Sequence, residues 1–254
     1  MNAISKSWKN QGTVAESWSS LKSRCRIISS VRGGLATRKN DLIAACENEQ
    51  RTDPCETLAS ELIPLCDALR FIGRKGVGIL RDRRVGWIGR PLWLWGVRAS
   101  VSRVAHGRVL ILAAWNYPLL LPGVQLAQAL AAGNKVLIKP APGCERATEL
   151  MVQCFHEAGV PREMLLNLPS DVESATRAID QGVDMVVLTG GADTGRAVMR
   201  RASETLTPTI MELGGCDAML VLSDADLGRV ARALRFGLTF NGGATCIGPR
   251  RVFA

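Results

Sequence analysis

Apolar positions recur with two different periods along the chain, and the period changes near residue 108. Between residues 13 and 82 they recur every three or four positions, which is the period of an amphipathic helix. Asp53 and Pro54 supply a helix start signal ahead of the clearest apolar stripe. That stripe consists of Leu58, Leu62, Leu65, Leu69 and Ile72. The pattern therefore predicts an N-terminal helical region.

Beyond residue 108, short apolar runs alternate with longer amphipathic stretches. The predicted strands are 108–113, 135–139, 164–168, 185–189, 209–213 and 218–222. The predicted helices lie near 119–132, 144–158, 172–181, 194–203 and 225–240. This alternation predicts an α/β fold in which a parallel sheet carries helices on both faces.

Residues 109–134 carry no charged side chain, which raises the question of a membrane span. The run contains Pro118, Pro122, Gln125 and Gln128, which a single lipid-exposed helix tolerates poorly. We therefore expect a buried strand, a turn and a helix in this part of the chain.

Composition narrows the class of protein. The chain has 254 residues and 47% hydrophobic content, enough for one or two domains with a sizeable core. Its eight cysteines form no CxxC pair and it has two histidines, so we expect no metal site. Scattered cysteines without a signal peptide indicate reduced thiols and a cytoplasmic location.

The net charge of +9 is unevenly placed. Much of the excess lies in residues 70–108, where Asp82 is the single acidic residue and Trp87, Trp93 and Trp95 interleave with arginines. Such a composition can mark a membrane surface or a nucleic-acid face. We interpret it instead as a solvated basic arm with a few packed tryptophans, and expect no association with nucleic acid or membranes.

The carboxyl ends of the predicted strands, where parallel sheets bind ligands, carry unusual residues. The segment TGGADTG (189–195) follows a strand and opens a helix, so its backbone amides could approach a phosphate. Lys139 ends its strand beside Pro140 and could bind a ribose or a phosphate. An ordinary glycine-rich turn and an exposed lysine are the alternatives.

Three further residues fit catalytic chemistry. Glu212 interrupts an apolar strand, and a buried carboxylate there would suit a general base. Asn116 follows a strand within AWNYP and could donate to an oxyanion. Cys246 follows a glycine pair, which keeps the approach to its sulfur open to an electrophile. The structural alternatives are a turn-capping carboxylate, a turn asparagine and a small buried hydrophobe.

Five motifs, in their order and separation, resemble the aldehyde dehydrogenase superfamily. They are AAWNYP, IKPAP, LTGGADTG, MELGG and FNGGATC. The resemblance covers roughly residues 30–254 and implies a Rossmann-like domain that binds NAD or NADP. The implied organisation is a helical region with a basic, Trp-containing arm at 1–107, the cofactor-binding domain at 108–213, and the start of a truncated α/β catalytic domain at 214–254.

The resemblance also implies a role for each motif residue. Cys246 would be the nucleophile, Glu212 the general base and Asn116 the oxyanion donor, while Lys139 would hold the adenosine ribose. The other cofactor-binding positions would be Trp115, Pro142, Thr189, Gly190, Gly191, Gly195 and Leu213. The implied activity is NAD(P)-dependent oxidation of a small-molecule aldehyde to a carboxylic acid, through a cysteine thiohemiacetal and thioester.

Some positions depart from the family pattern. Pro142 stands where NAD-preferring members often have a glutamate, so the choice between NAD and NADP stays open. Gly191 replaces a common serine, and Cys216 stands where lysine is usual. None of these departures removes a catalytic group.

Chains of the family are much longer than this one. We therefore expect a fragment or truncated product with impaired activity, whose partner is another copy of the chain or a missing C-terminal half. The apolar face of the helix near 225–240 would then lack its usual packing. A non-catalytic nucleotide-binding or scaffold fragment of the same fold is the alternative function.

Overall fold

The computed structural model describes residues 16–49, 51–86 and 88–254. Trp87 and the start of the predicted helical region, residues 13–15, lie outside the described residues. The helices are α1 (Glu16–Ser19), α2 (Leu21–Thr37), α3 (Lys39–Cys46), α4 (Pro54–Thr57), α5 (Ile63–Leu80), α6 (Leu120–Ala131), α7 (Glu145–Glu157), α8 (Val172–Asp180), α9 (Ala192–Ser203) and α10 (Leu227–Thr239). A π-helical turn, Leu58–Leu62, joins α4 to α5.

The strands are β1 (Arg83–Arg84), β2 (Ser100–Val101), β3 (Arg108–Leu112), β4 (Lys135–Lys139), β5 (Leu165–Asn167), β6 (Met185–Gly190), β7 (Thr209–Leu213), β8 (Asp217–Leu220) and β9 (Pro249–Phe253). Short 3-10 turns occupy Leu92–Leu94, Arg162–Met164 and Phe240–Gly243.

The central sheet has five parallel strands in the order β5-β4-β3-β6-β7. Its register places Val109 of β3 between Val136 of β4 and Met185 of β6. Strands β4 and β5 lie on one side of β3 in the sheet, and β6 and β7 lie on the other side. The predicted α/β fold with a Rossmann-like parallel sheet is confirmed.

Both faces of this sheet are covered, because its central strands alternate their side chains between two apolar clusters. Val109 and Ile111 of β3 face the larger cluster, which contains residues of α2, α5, α6 and α7. Leu110 and Leu112 face a smaller cluster beneath α8 and α9. The uncharged segment 109–134 accordingly folds into β3, a loop and α6, as predicted.

The described N-terminal region is mainly helical, and residues 47–49 and 51–53 lie outside its helices. The second helical stretch starts where the sequence predicts it, since the Asp53 side chain accepts a hydrogen bond from the Cys55 amide at 2.9 Å. Pro54 occupies the first helical position, where its missing N–H costs nothing.

The basic arm forms a two-stranded antiparallel sheet, β1 with β2, and a short turn between them. The expectation of packed tryptophans is wrong for Trp93 and Trp95, which are 83% and 53% exposed. Their side chains belong to neither apolar cluster, whereas Ile72, at the start of the arm, belongs to the larger one. Among the described residues, no helix is both long and apolar enough to cross a membrane.

The last predicted strand does not join the main sheet. β8 instead pairs in parallel with β9, in a separate two-stranded sheet. Gly214 and Gly215 end β7 and turn the chain away, so that β7 remains the edge of the five-stranded sheet. α10, which lies between β8 and β9 in the chain, has no buried residue.

Truncation of Leu65 tests the larger apolar cluster. Leu65 of α5 is fully buried, so Leu65→Ala removes apolar contacts and leaves a cavity, at a cost of about 2–5 kcal/mol in the free energy of unfolding. Ile63→Ala on the same helix is the matched control, since Ile63 is 58% exposed and should cost under about 0.5 kcal/mol. Urea denaturation followed by circular dichroism measures both values, and equal losses would contradict the assigned core.

Candidate functional site

A cleft of about 1400 Å³ opens at the carboxyl ends of β3, β4, β6 and β7. Its lining contains ten of the eleven predicted site residues: Trp115, Asn116, Lys139, Pro142, Thr189, Gly190, Gly191, Glu212, Leu213 and Cys246. The sheet order explains this position, because the connections of β3 and β6 run in opposite directions and leave a crevice between them.

Gly195 is the predicted site residue that does not line the cleft. It is buried on α9, where a Cβ would lie 3.0 Å from Cδ2 of Leu213. The absent side chain therefore lets α9 pack closely against the end of β7. Gly195 supports a wall of the cleft through Leu213.

The start of α9 forms an anion cradle on one side of the cleft. The first helical hydrogen bond runs from the Gly195 amide to the Gly191 carbonyl at 3.0 Å, so the amides of residues 192–194 have no acceptor within the helix. A Cβ on Gly191 would meet no atom within 4 Å, which leaves open space for a ligand beside these amides. Donors and a helix dipole in this arrangement favour a phosphate group.

Lys139 adds a positive charge to the same cleft. Its side chain is half-buried, and Nζ donates to the carbonyl oxygen of Pro140 at 3.0 Å. Burial lowers the pKa of Lys139 from its ordinary value, while the carboxylates of Asp171 and Glu145 act in the opposite direction. The ammonium group has further hydrogens with which to bind a hydroxyl or a phosphate oxygen.

Cys246 lies at the surface of the cleft, so the interpretation of a small buried hydrophobe is wrong. The turn Phe240–Gly243 before it reverses the chain through left-handed backbone angles, with φ of 54° at Asn241, 58° at Gly242 and 78° at Gly243. This reversal places the cysteine in the cleft, open to a ligand.

Glu212 is exposed, and the expectation of a buried carboxylate on an apolar strand is therefore wrong. The reason is its place in the sheet, since β7 is the edge strand. Of the side chains on β7, Met211 packs against the smaller apolar cluster. Glu212 itself lines the cleft and has contact with solvent.

The loops that carry Asn116 and Cys246 are bonded to each other. Nδ2 of Asn116 donates to the carbonyl oxygen of Ala244 at 2.7 Å, and the hydroxyls of Tyr117 and Thr245 lie 2.8 Å apart. An asparagine amide has two hydrogens, so a second donor remains for a ligand. The loop after Glu212 is also adjacent, because a Cβ on Gly215 would lie 3.8 Å from the Cys246 carbonyl oxygen.

Three polar residues behind this junction were not predicted from the sequence. Arg51 and Glu61 form a buried ion pair, with side chains 3% and 0% exposed. Asn241, also buried, accepts hydrogen bonds from Nε and Nη2 of Arg51 at 2.8 and 2.6 Å. Glu61 could have been found, because it falls within the apolar stripe three positions after Leu58.

Two other thiols lie near this network. Burial raises the pKa of Cys144 to about 11, and it raises the pKa of Cys46 further. Sγ of Cys144 lies 3.6 Å from the carbonyl oxygen of Trp115. All eight cysteines of the chain are free, and among them Cys55, Cys216 and Cys246 are exposed.

Known proteins match this chain along most of its length. A family model described as "Aldehyde dehydrogenase family" matches residues 2–254. The 4,4'-diapolycopene aldehyde oxidase of Methylomonas sp is 36% identical over 198 residues, which cover 78% of this chain and 37% of the relative. Aldehyde dehydrogenase family 3 member A2 of Macaca fascicularis is 36% identical over 234 residues, covering 90% and 46%.

Solved structures show the same fold. The crystal structure of Mycobacterium tuberculosis aldehyde dehydrogenase complexed with NAD+ superposes with a TM-score of 0.85 at 26% identity, covering 99% of this chain and 51% of that one. The chain thus spans between 37% and 51% of the length of these three proteins. Since the family match extends over nearly every residue, the chain belongs to the aldehyde dehydrogenase family.

Proposed function

We propose that the chain carries the cofactor cleft and the nucleophile for NAD(P)-dependent oxidation of an aldehyde to a carboxylic acid. The observation that supports this is the convergence of Asn116, Glu212 and Cys246, which come from distant parts of the chain, on one cleft. Amide, carboxylate and thiol are the three groups that acyl chemistry on sulfur requires.

A dinucleotide fits the rest of the lining. The open space beside Gly191 and the free amides of residues 192–194 suit its pyrophosphate, and Lys139 suits a ribose hydroxyl or phosphate. The aldehyde dehydrogenase structure from Mycobacterium tuberculosis was solved with NAD+, which supports the same class of cofactor here. Pro142 offers no carboxylate to a ribose, so both NAD and NADP are candidates.

The reaction begins with the sulfur of Cys246 as thiolate, which forms a bond to the aldehyde carbon and converts the carbonyl oxygen into an oxyanion. The free hydrogen of the Asn116 amide and the Cys246 backbone N–H donate to that oxyanion. A nicotinamide held in the cleft beside Thr189 and Leu213 would supply the hydride acceptor that this oxidation needs. The substrate is then held on Cys246 as a thioester.

Hydrolysis releases the product. Glu212 takes a proton from a water molecule, whose oxygen attacks the thioester carbon and displaces the sulfur of Cys246. Glu212 lines the cleft and is exposed, so a water molecule can reach its carboxylate from solvent. The carboxylic acid leaves, Glu212 releases its proton to solvent, and the thiolate of Cys246 is ready for another aldehyde.

Lys139 gives a test of cofactor binding that needs no turnover. Lys139→Met should weaken NAD and NADP binding about tenfold, because it removes a charged donor from the cleft. Lys135→Met is a matched control, since Lys135 is equally half-buried at the opposite end of the same strand. Isothermal titration calorimetry measures both, and equal effects of the two substitutions would argue against the assigned cleft.

Substitutions of Glu212 and Cys246 test separately the two stages of the reaction, which are formation of the thioester and its hydrolysis. Glu212→Gln should leave one turnover of NAD(P)H formation and slow later turnovers about 10²- to 10⁴-fold, because the thioester is no longer hydrolysed. Cys246→Ala should abolish both phases. Glu204→Gln changes another exposed carboxylate of the cleft and serves as control. Stopped-flow absorbance of NAD(P)H follows the reaction with propanal or decanal.

The state of Cys246 after addition of aldehyde also distinguishes the proposed enzyme from the alternative function. Binding of NAD or NADP with no acyl group on Cys246, measured by mass spectrometry after aldehyde addition, would favour a non-catalytic nucleotide-binding fragment. An acylated Cys246 that accumulates in Glu212→Gln would favour the enzyme.

Thiol reactivity should distinguish Cys246 from Cys144 by pH. Only the thiolate reacts, and burial raises the pKa of Cys144 to about 11, so its labelling should begin only as the pH approaches that value. The exposed Cys246 should be labelled by iodoacetamide at neutral pH. Peptide-resolved mass spectrometry reads each site, and fast labelling of Cys144 at neutral pH would contradict its environment.

A further inference from the structure

The guanidinium of Arg51 contacts three segments that are far apart in the chain. Nη1 bonds to Oε1 of Glu61 on the π-helical turn, and Nη2 donates to the backbone carbonyl of Asn116. Nε and Nη2 also donate to Oδ1 of Asn241, which precedes Cys246 in the same loop. The planar guanidinium of Arg51 therefore contacts both the loop that carries Asn116 and the loop that carries Cys246.

These contacts fix the backbone of Asn116 from behind. Its carbonyl oxygen accepts from Arg51 and also from Nδ2 of Asn241 at 2.8 Å. A peptide whose carbonyl is held by two donors cannot rotate freely, and the side chain of Asn116 is oriented with it. That side chain in turn donates to Ala244, two residues before Cys246.

The same contacts hold the strained turn before Cys246. Asn241 has a left-handed φ of 54°, a backbone region that few residues other than glycine adopt. Its side chain is bonded to Arg51, and its backbone amide donates to Oε1 of Glu56. Glu61 completes the support by accepting from the amides of Leu119 and Leu120 at 2.6 and 3.0 Å.

We propose that Arg51 is a positioning residue, which sets the Asn116 amide against the Cys246 loop for oxyanion stabilisation. The inference rests on the proposed function and deepens it. Arg51 does not line the cleft and touches no substrate, so it acts through Asn116 and Asn241. A lysine, with one ammonium group in place of a planar fork, cannot bridge these acceptors in the same geometry.

The test uses acylation of Cys246 by p-nitrophenyl acetate, which needs no cofactor. The sulfur forms a bond to the ester carbon, p-nitrophenolate leaves, and the oxyanion formed on the way requires the Asn116 donor. Alkylation by iodoacetamide displaces iodide and forms no oxyanion. The ratio of the two rates at Cys246, resolved by peptide mass spectrometry, therefore reports the donor separately from the thiol.

Arg51→Lys should lower the acylation rate about tenfold and change the alkylation rate much less. Asn116→Ala should lower acylation about 10²- to 10³-fold. The double variant should acylate no more slowly than Asn116→Ala, because the two residues act through one donor. Arg24→Lys is the matched control, since Arg24 also bridges backbone carbonyls, of Ser19 and Ala131, away from the cleft.

Equal acylation by Arg51→Lys and Arg24→Lys, or a further loss in the double variant, would overturn the positioning role. If Arg51→Lys does not fold, Asn241→Gly breaks the same link, and glycine accepts the left-handed backbone; it should show the same selective loss. Selective loss of acylation with no NAD(P)H from aldehydes would refute the proposed function and retain the positioning role. Absence of any acylation at Cys246 in the unaltered chain would refute both.

Discussion

The ion pair between Arg51 and Glu61 is the interaction on which the arrangement of the cleft depends. Transfer of two charged groups from water to the interior costs several kcal/mol per ion, and such a pair is tolerated only when its polar atoms are partnered. Here Glu61 itself lies on the π-helical turn, and the further partners of Arg51 lie on the loop after β3 and on the loop before Cys246. Satisfying the pair therefore fixes these three segments relative to one another. Burial raises the pKa of Glu61, while Arg51 and the amides of Leu119 and Leu120 act in the opposite direction.

The apolar core and this polar network have different roles. The two clusters on either side of the sheet hold the strands and bring their carboxyl ends to one edge. Apolar packing of Leu119 anchors the end of the Asn116 loop but does not orient the Asn116 side chain, since hydrophobic burial has no direction. Hydrogen bonds with defined donors and acceptors supply that orientation, which is why the loops of Asn116 and Cys246 are joined by polar contacts.

Most of the fold could be predicted because its signals are local. The change from a helical to a strand-and-helix rhythm near residue 108 follows from periodicity, and the strand ends then indicate the cleft. Glu212 shows the limit of such signals, since an apolar strand has the same pattern whether it lies in the centre or at the edge. Arg51 shows a second limit. It lies 190 positions from Asn241, and no periodic pattern connects residues so far apart.

The residues that support the cleft are buried and the proposed catalytic residues are exposed, and this separation has a physical reason. In the proposed reaction, the exposure of Cys246 and Glu212 would let a substrate and a water molecule reach them. Arg51, Glu61 and Asn241 are buried because water would otherwise compete for their hydrogen bonds and release the loops. The left-handed Asn241 belongs to the buried set, and its strain persists only while the surrounding bonds hold it. A site of this kind can therefore bind solvent at its surface while the positions of its reacting groups are determined in the interior.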